Sequence, residues 1–155
     1  MRVAVAGTFG PLHDGHRALL EKALERGDDG VVVGVTSDDL AQETRLKPRP
    51  VPPFEERRDG VRETLSALDE WGRETTVVRL TDRYAYIVTE EDIDALVTSP
   101  ETCGELAEIN GRRAQNGLDP IEGIVVPYVR AADGQRISST RMVAGEVDEH
   151  GELVE

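Results

Sequence analysis

From Gly30 to Val35 the chain reads Gly-Val-Val-Val-Gly-Val, apolar on both faces of any strand it forms. A strand wetted on one side alternates apolar and polar residues. One without alternation must be covered on both sides, as in a parallel sheet with helices packed on each face. The surrounding pattern agrees. Residues 2–6 read as a preceding strand and 15–26 as a helix, with Leu19, Leu20, Ala23 and Leu24 at helical spacing and Gly27 closing it. Further along, 54–71 reads as a helix with Val61, Leu65 and Leu68 on one side, 75–80 and 93–98 as strands, 102–116 as a helix and 121–126 as a strand. A final helix is expected to start near Ser139. This order predicts an α/β fold, a doubly wound open parallel sheet, in one domain spanning 1–155 with a peripheral tail from about 147.

Such sheets gather ligands beyond the carboxyl ends of their strands, where strand order reverses. Polar, glycine-bearing sequence follows every strand here, and the Gly7–His16 turn is the most informative piece. It holds His13 and His16 between the first strand and the first helix, beside Gly10 and Gly15. A helix N-terminus offers unpaired N–H groups and a partial positive charge, which suit phosphate. Both imidazoles are therefore read as aimed at phosphate oxygens, with an imidazolium stabilising charge on a transferring phosphoryl group. Zinc ligation is the alternative, but the remaining histidine, His150, lies in the tail and Cys103 is the lone cysteine.

Composition narrows the partners. The net charge is −13, which opposes nucleic acid, and no run approaches the roughly 18 apolar residues of a membrane helix. Lys22 and Lys47 are the only lysines among 18 basic residues. An acid-rich surface nearly emptied of lysine resembles that of cytoplasmic proteins from organisms that accumulate molar salt. A soluble, cytoplasmic monomer acting on small molecules is expected. Lys47 stands in a polar stretch, Ser37 to Pro53, too long for an ordinary connection and read as a functional loop.

Gly-Thr-Phe-x-x-x-His-x-Gly-His after the first strand resembles the signature of the HxGH nucleotidyltransferases, and Ile137-Ser138-Ser139-Thr140 matches that superfamily's second motif. Over nearly its whole length the chain is similar to the archaeal phosphopantetheine adenylyltransferases. The matching pieces are Gly7–His16, the Lys47 loop with Pro53-Phe54-Glu55-Glu56-Arg57, Leu80–Tyr84, Thr98–Thr102, and Asp133 through Glu146. Many relatives carry Asp where this chain has Gly10, and Gly where it has Ala85.

The resemblance implies a Rossmann-like nucleotidyltransferase fold and adenylyl transfer from ATP to 4′-phosphopantetheine, giving dephospho-coenzyme A and pyrophosphate. It implies Thr8, His16 and Lys47 as catalytic residues. ATP would be bound by Thr8, Phe9, His13, His16, Glu101, Ser138, Ser139, Thr140 and Arg141. The acceptor would be bound by Thr8, Lys47, Arg57, Asp82 and Tyr84. Mg²⁺ would be held mainly by the triphosphate, with no metal site built from protein side chains. A related enzyme for nicotinamide mononucleotide, flavin mononucleotide or glycerol 3-phosphate, or a non-catalytic nucleotide-binding module, stands as the alternative reading. Helix capping by Ser138–Thr140 and a plain solvated charge at Lys47 stand as the simpler local ones.

Overall fold

The computed structural model describes residues 1–43, 49–84, 86–100, 102 and 104–154. Lys47, Glu101 and Cys103 lie outside the described residues. Five strands, β1 (Val3–Gly7), β2 (Val31–Thr36), β3 (Thr75–Leu80), β4 (Ala95–Thr98) and β5 (Glu122–Val125), form one sheet in the order β3-β2-β1-β4-β5, every pair parallel. The chain winds from β1 outward to β3, then crosses to β4 and winds the other way. Strand order therefore reverses between β1 and β4.

The period of two divides the core. Val3, Val5, Val31, Val33, Val35, Ala95 and Val97 point to one face, where Leu20 and Leu24 of α1 (Asp14–Arg26) and Val61 and Leu65 of α3 (Phe54–Leu68) cover them. Ala4, Val32 and Leu96 point to the other face, beneath Ile109 of α4 (Glu105–Gln115) and the segment carrying Tyr84, Ile87, Val88 and Ile93. Each face buries its own apolar cluster, as the unbroken valine run requires.

Three local outcomes differ from the expectations. The polar stretch after β2 begins with a short helix, α2 (Asp38–Glu43), because the Ser37 hydroxyl accepts the Leu40 N–H at 3.1 Å and two aspartates sit in its first turn. Helix α3 stops at Leu68, short of Trp71, because Asp69 accepts the backbone N–H groups of Trp71, Gly72 and Arg73 at 2.9, 3.0 and 2.9 Å. The tail expected to be peripheral is docked. Val147 is buried with Ala131 and Ile137, and the Glu149 carbonyl accepts the Asp14 N–H at 2.9 Å, closing the start of α1. The expected final helix is α5 (Ser139–Val143).

Candidate active site

Strand β1 pairs with β2 over five residues but with β4 only at Val3–Ala95 and Ala4–Leu96. Beyond those pairs the two central strands part, and a cavity of about 340 Å³ opens at their carboxyl ends. Its walls bring together Thr8, Phe9, His13 and His16 from the first turn and Ser138, Ser139 and Thr140 from the second motif, far away in sequence. Ser139 fastens the two motifs, its hydroxyl donating to the Pro11 carbonyl at 2.6 Å. Ser138 caps α5 by accepting the Arg141 N–H at 3.2 Å, so for this residue the capping role is realised.

The turn is built by its own histidines. His13 is the N-cap of α1: its Nδ1 accepts the Gly15 N–H at 3.0 Å, while its own N–H donates to His16 Nδ1 at 3.2 Å. The rings stack with centroids 3.9 Å apart. Gly15 leaves the room this needs, since a Cβ there would lie 2.7 Å from the His13 ring. A ring nitrogen that accepts cannot carry the proton, so both imidazoles are the Nε2–H tautomer. Burial holds His13 down to about 4, helped by the charges of Arg17 and Arg136 and opposed by Asp14. Burial, then His13, Arg17 and Arg49, keep His16 well below its ordinary value. Without phosphate both rings are thus neutral at pH 7, with the Nε2–H of each left to donate; the imidazolium expected from the sequence requires the bound phosphate that raises a neighbouring histidine's pKa. Phe9 lies fully buried beneath, its ring 5.2 Å from that of His16, with a backbone φ of 54° that few aromatic residues adopt.

Thr8 lines the cavity and its hydroxyl accepts from Thr36 Oγ1 at 3.1 Å. Arg57 does not reach the cavity. It is buried as a brace, donating through Nε to the Pro52 carbonyl (2.7 Å), through one terminal nitrogen to the carbonyls of Thr8 (3.0 Å) and Thr36 (2.8 Å), and through the other to Asp38 (2.9 Å). Gly10 is the space this brace occupies, since a Cβ there would fall 2.5 Å from Arg57 Cδ. Arg141 is likewise engaged, with Asp133, Glu146 and the Arg136 carbonyl, and stands outside the cavity wall. Asp82 is exposed and shapes the turn by accepting the Tyr84 N–H at 2.9 Å.

Tyr84 is buried in the wall of a second, mostly apolar cavity of about 110 Å³, with Leu80, Tyr86, Ile87, Leu96 and Ile109. Burial and the nearby Glu105 raise the phenol's pKa, and its hydroxyl faces Glu108 at 3.4 Å. The two cavities share Ala6, Val97, Thr98 and Thr102.

Two cations that sequence reasoning passed over also line the larger cavity. Arg49 donates to the Gly10 carbonyl at 3.2 Å, and Arg136 lies 5.1 Å from the Tyr128 ring. Their signal was present: Arg49 follows Lys47 in the long loop, and Arg136 immediately precedes Ile137. A chain of net charge −13 thus places two guanidinium groups around this turn. Among the described residues no group of three or more acidic, histidine or cysteine side chains is placed to hold a metal ion. Among them, too, no helix is long and apolar enough to cross a membrane.

A strand-turn-helix unit with paired histidines, facing a cavity at the reversal point of a doubly wound sheet, is the architecture of a nucleotidyltransferase. The family model described as cytidylyltransferase-like matches residues 4–145, and the chain belongs to that family. It is 42% identical to a phosphopantetheine adenylyltransferase of Methanosarcina acetivorans over 98% of this chain and 95% of the relative. It is 44% identical to one of Methanopyrus kandleri over 96% and 91%. A solved structure of a protein of unknown function from Archaeoglobus fulgidus superposes with a TM-score of 0.71 at 35% identity, covering 81% of this chain and 89% of that one.

Proposed function

We propose that the protein is an adenylyltransferase that joins AMP from ATP to 4′-phosphopantetheine. An oxygen of the acceptor phosphate attacks the α-phosphorus of ATP, the bond to the bridging oxygen breaks, and pyrophosphate leaves. Dephospho-coenzyme A is the other product. The nucleophile is already ionised, so no side chain needs to remove a proton. Positioning and charge neutralisation are the protein's tasks.

The observation that carries this reading is the fixed Nε2–H tautomer of His13 and His16. Two preset donors face one wall of the cavity, and they need no reorganisation when charge builds on the α-phosphoryl oxygens. His16 stabilises the transition state and His13 binds the nucleotide phosphates. The Thr8 N–H and hydroxyl align the two reacting phosphates. Ser139, Thr140 and the guanidinium groups of Arg49 and Arg136 hold the β- and γ-phosphates. Lys47 and Glu101 complete the reading as an acceptor-phosphate contact and part of the adenosine site. The donors at the cavity are hydroxyls, neutral imidazoles and guanidinium groups, which suit oxyanions. The divalent cation, Mg²⁺, therefore enters as part of the ATP substrate, on its phosphate oxygens.

The apolar cavity walled by Tyr84, Ile87 and Ile109 receives the pantetheine arm. That favours an acceptor with a long tail that carries apolar segments over glycerol 3-phosphate, which has no tail. The enzyme works as a cytoplasmic monomer on small molecules.

Pyrophosphate release at high KCl, measured with 4′-phosphopantetheine, nicotinamide mononucleotide, flavin mononucleotide and glycerol 3-phosphate in separate assays, tests the reading. Phosphopantetheine is expected to be preferred by at least two orders of magnitude in kcat/KM. Preference for another acceptor would sink the substrate assignment.

A further inference from the structure

Thr98 ends β4 where it has parted from β1, and it stands in the walls of both cavities. By the period of two its side chain shares the face of Leu96 and Ala4, the side of the apolar cavity. The residue is 6% exposed, and its Oγ1 is buried with no hydrogen-bond partner among the described residues. Other hydroxyls around the site are engaged: Thr8 with Thr36, Ser99 with Thr102, Ser139 with the Pro11 carbonyl. A buried hydroxyl without a partner is unfavourable, and valine would fill the same space without that cost.

We infer that Thr98 is a specificity residue of the acceptor site, giving its hydroxyl to the polar segment of the pantetheine arm nearest the phosphate, its hydroxyl and first amide. This rests on the acceptor proposed above. With the acceptor phosphate between Thr8 and His16 and the tail among Tyr84, Ile87 and Ile109, that segment must cross the shared wall. Of the other residues of that wall, Ala6 and Val97 offer it no polar side chain, and the Thr102 hydroxyl is engaged with Ser99. A step from one staggered rotamer to the next about the Thr98 Cα–Cβ bond carries the hydroxyl into the place its methyl group held, so the hydroxyl reaches the ligand without backbone movement.

Steady-state kinetics of Thr98→Val and Thr98→Ser, with the Tm of each unliganded protein, test the inference. Thr98→Val is expected to raise KM for 4′-phosphopantetheine about tenfold, to change KM for ATP less than twofold, and to leave Tm unchanged or higher. Thr98→Ser is expected to recover most of the acceptor affinity. An analogue of the acceptor lacking the hydroxyl beside its first amide should lose affinity for the wild type but not for Thr98→Val. A raised KM for ATP, an unchanged acceptor KM, or a lowered Tm in Thr98→Val would overturn it. A wild type that turns over another acceptor in preference would instead remove the reading beneath it.

Discussion

His13 and His16 hold each other in place through the backbone: the His13 N–H donates to His16 Nδ1 at 3.2 Å while His13 Nδ1 caps the Gly15 N–H at 3.0 Å. The same contacts that start α1 therefore decide which ring nitrogen carries the proton. Helix capping and the chemistry of the site are one arrangement.

His16→Ala removes the Nε2–H donor at the transition state. It is expected to lower kcat by about 10²–10³ while KM for ATP moves less. The variant also leaves the His13 N–H without its acceptor, which should cost about 1 kcal/mol of stability. Initial rates together with urea unfolding separate the two effects. A normal kcat with only a raised KM would make His16 a ground-state binder.

The lowered pKa values make stability depend on pH in a definite direction. His13 titrates near 4 when folded, below its ordinary 6.5. Between those values the unfolded chain binds the proton and the folded one does not, so acid favours unfolding. The contribution is fully present above pH 6.5 and is lost as pH falls towards 4, a loss on the order of 3 kcal/mol. His13→Asn keeps a capping oxygen but removes the titration. Its unfolding free energy is expected to fall less steeply than the wild type's between pH 6.5 and 4. Parallel slopes for the two proteins would show that His13 titrates normally.

Arg57→Lys separates a brace from a ligand. Lysine keeps the charge but cannot span the carbonyls of Pro52, Thr8 and Thr36 together with Asp38. Loss of this buried network is expected to cost about 3 kcal/mol, or about 10 °C in Tm for a chain of this size. Gly10→Ala should act in the same direction, because its methyl group would enter the space of the Arg57 side chain. A variant with unchanged Tm and a raised acceptor KM would return Arg57 to the substrate.

The fold was legible because the valine run and its flanking helices impose their periods locally. Val3, Val5 and Ala4 sort to their faces as strand alternation requires. The Gly7–His16 turn between β1 and α1 was legible too, since glycine and histidine spacing is a local property. What escaped the sequence depends on distant partners. The resemblance picks out Arg57, but nothing in the sequence reveals that Thr8, 49 residues away, would be its acceptor. The docking of His150 beside Asp14 spans 136 residues. Arg136 gains its place from Tyr128 and the cavity beside it, neither of which its position in a charged stretch of sequence reveals.

Lys47 lies outside the described residues, and its role rests on sequence. It is one of two lysines in a chain that otherwise uses arginine, within the polar stretch between Ser37 and Pro53. A compact ammonium suits a single phosphate oxygen in a way a planar fork does not. Lys47→Ala is expected to reduce kcat/KM by at least tenfold, with Lys47→Arg recovering only part of it. Wild-type kinetics in Lys47→Ala would leave the residue a solvated charge.

Salt should stabilise the fold. A net charge of −13 on 155 residues is self-repulsive, and the Debye length falls from about 10 Å at 0.1 M to about 3 Å at 1 M. Screening also weakens surface ion pairs such as Lys22–Glu25 and Arg112–Glu108. Exposed pairs of that kind contribute less than about 1 kcal/mol each, so the relief of net repulsion outweighs their loss. Tm measured by circular dichroism is expected to rise by several degrees between 0.1 and 2 M KCl in the absence of substrates. An equal rise in sucrose at matched osmolality would assign the effect to solvent exclusion, and a flat profile in KCl would dispose of the repulsion argument.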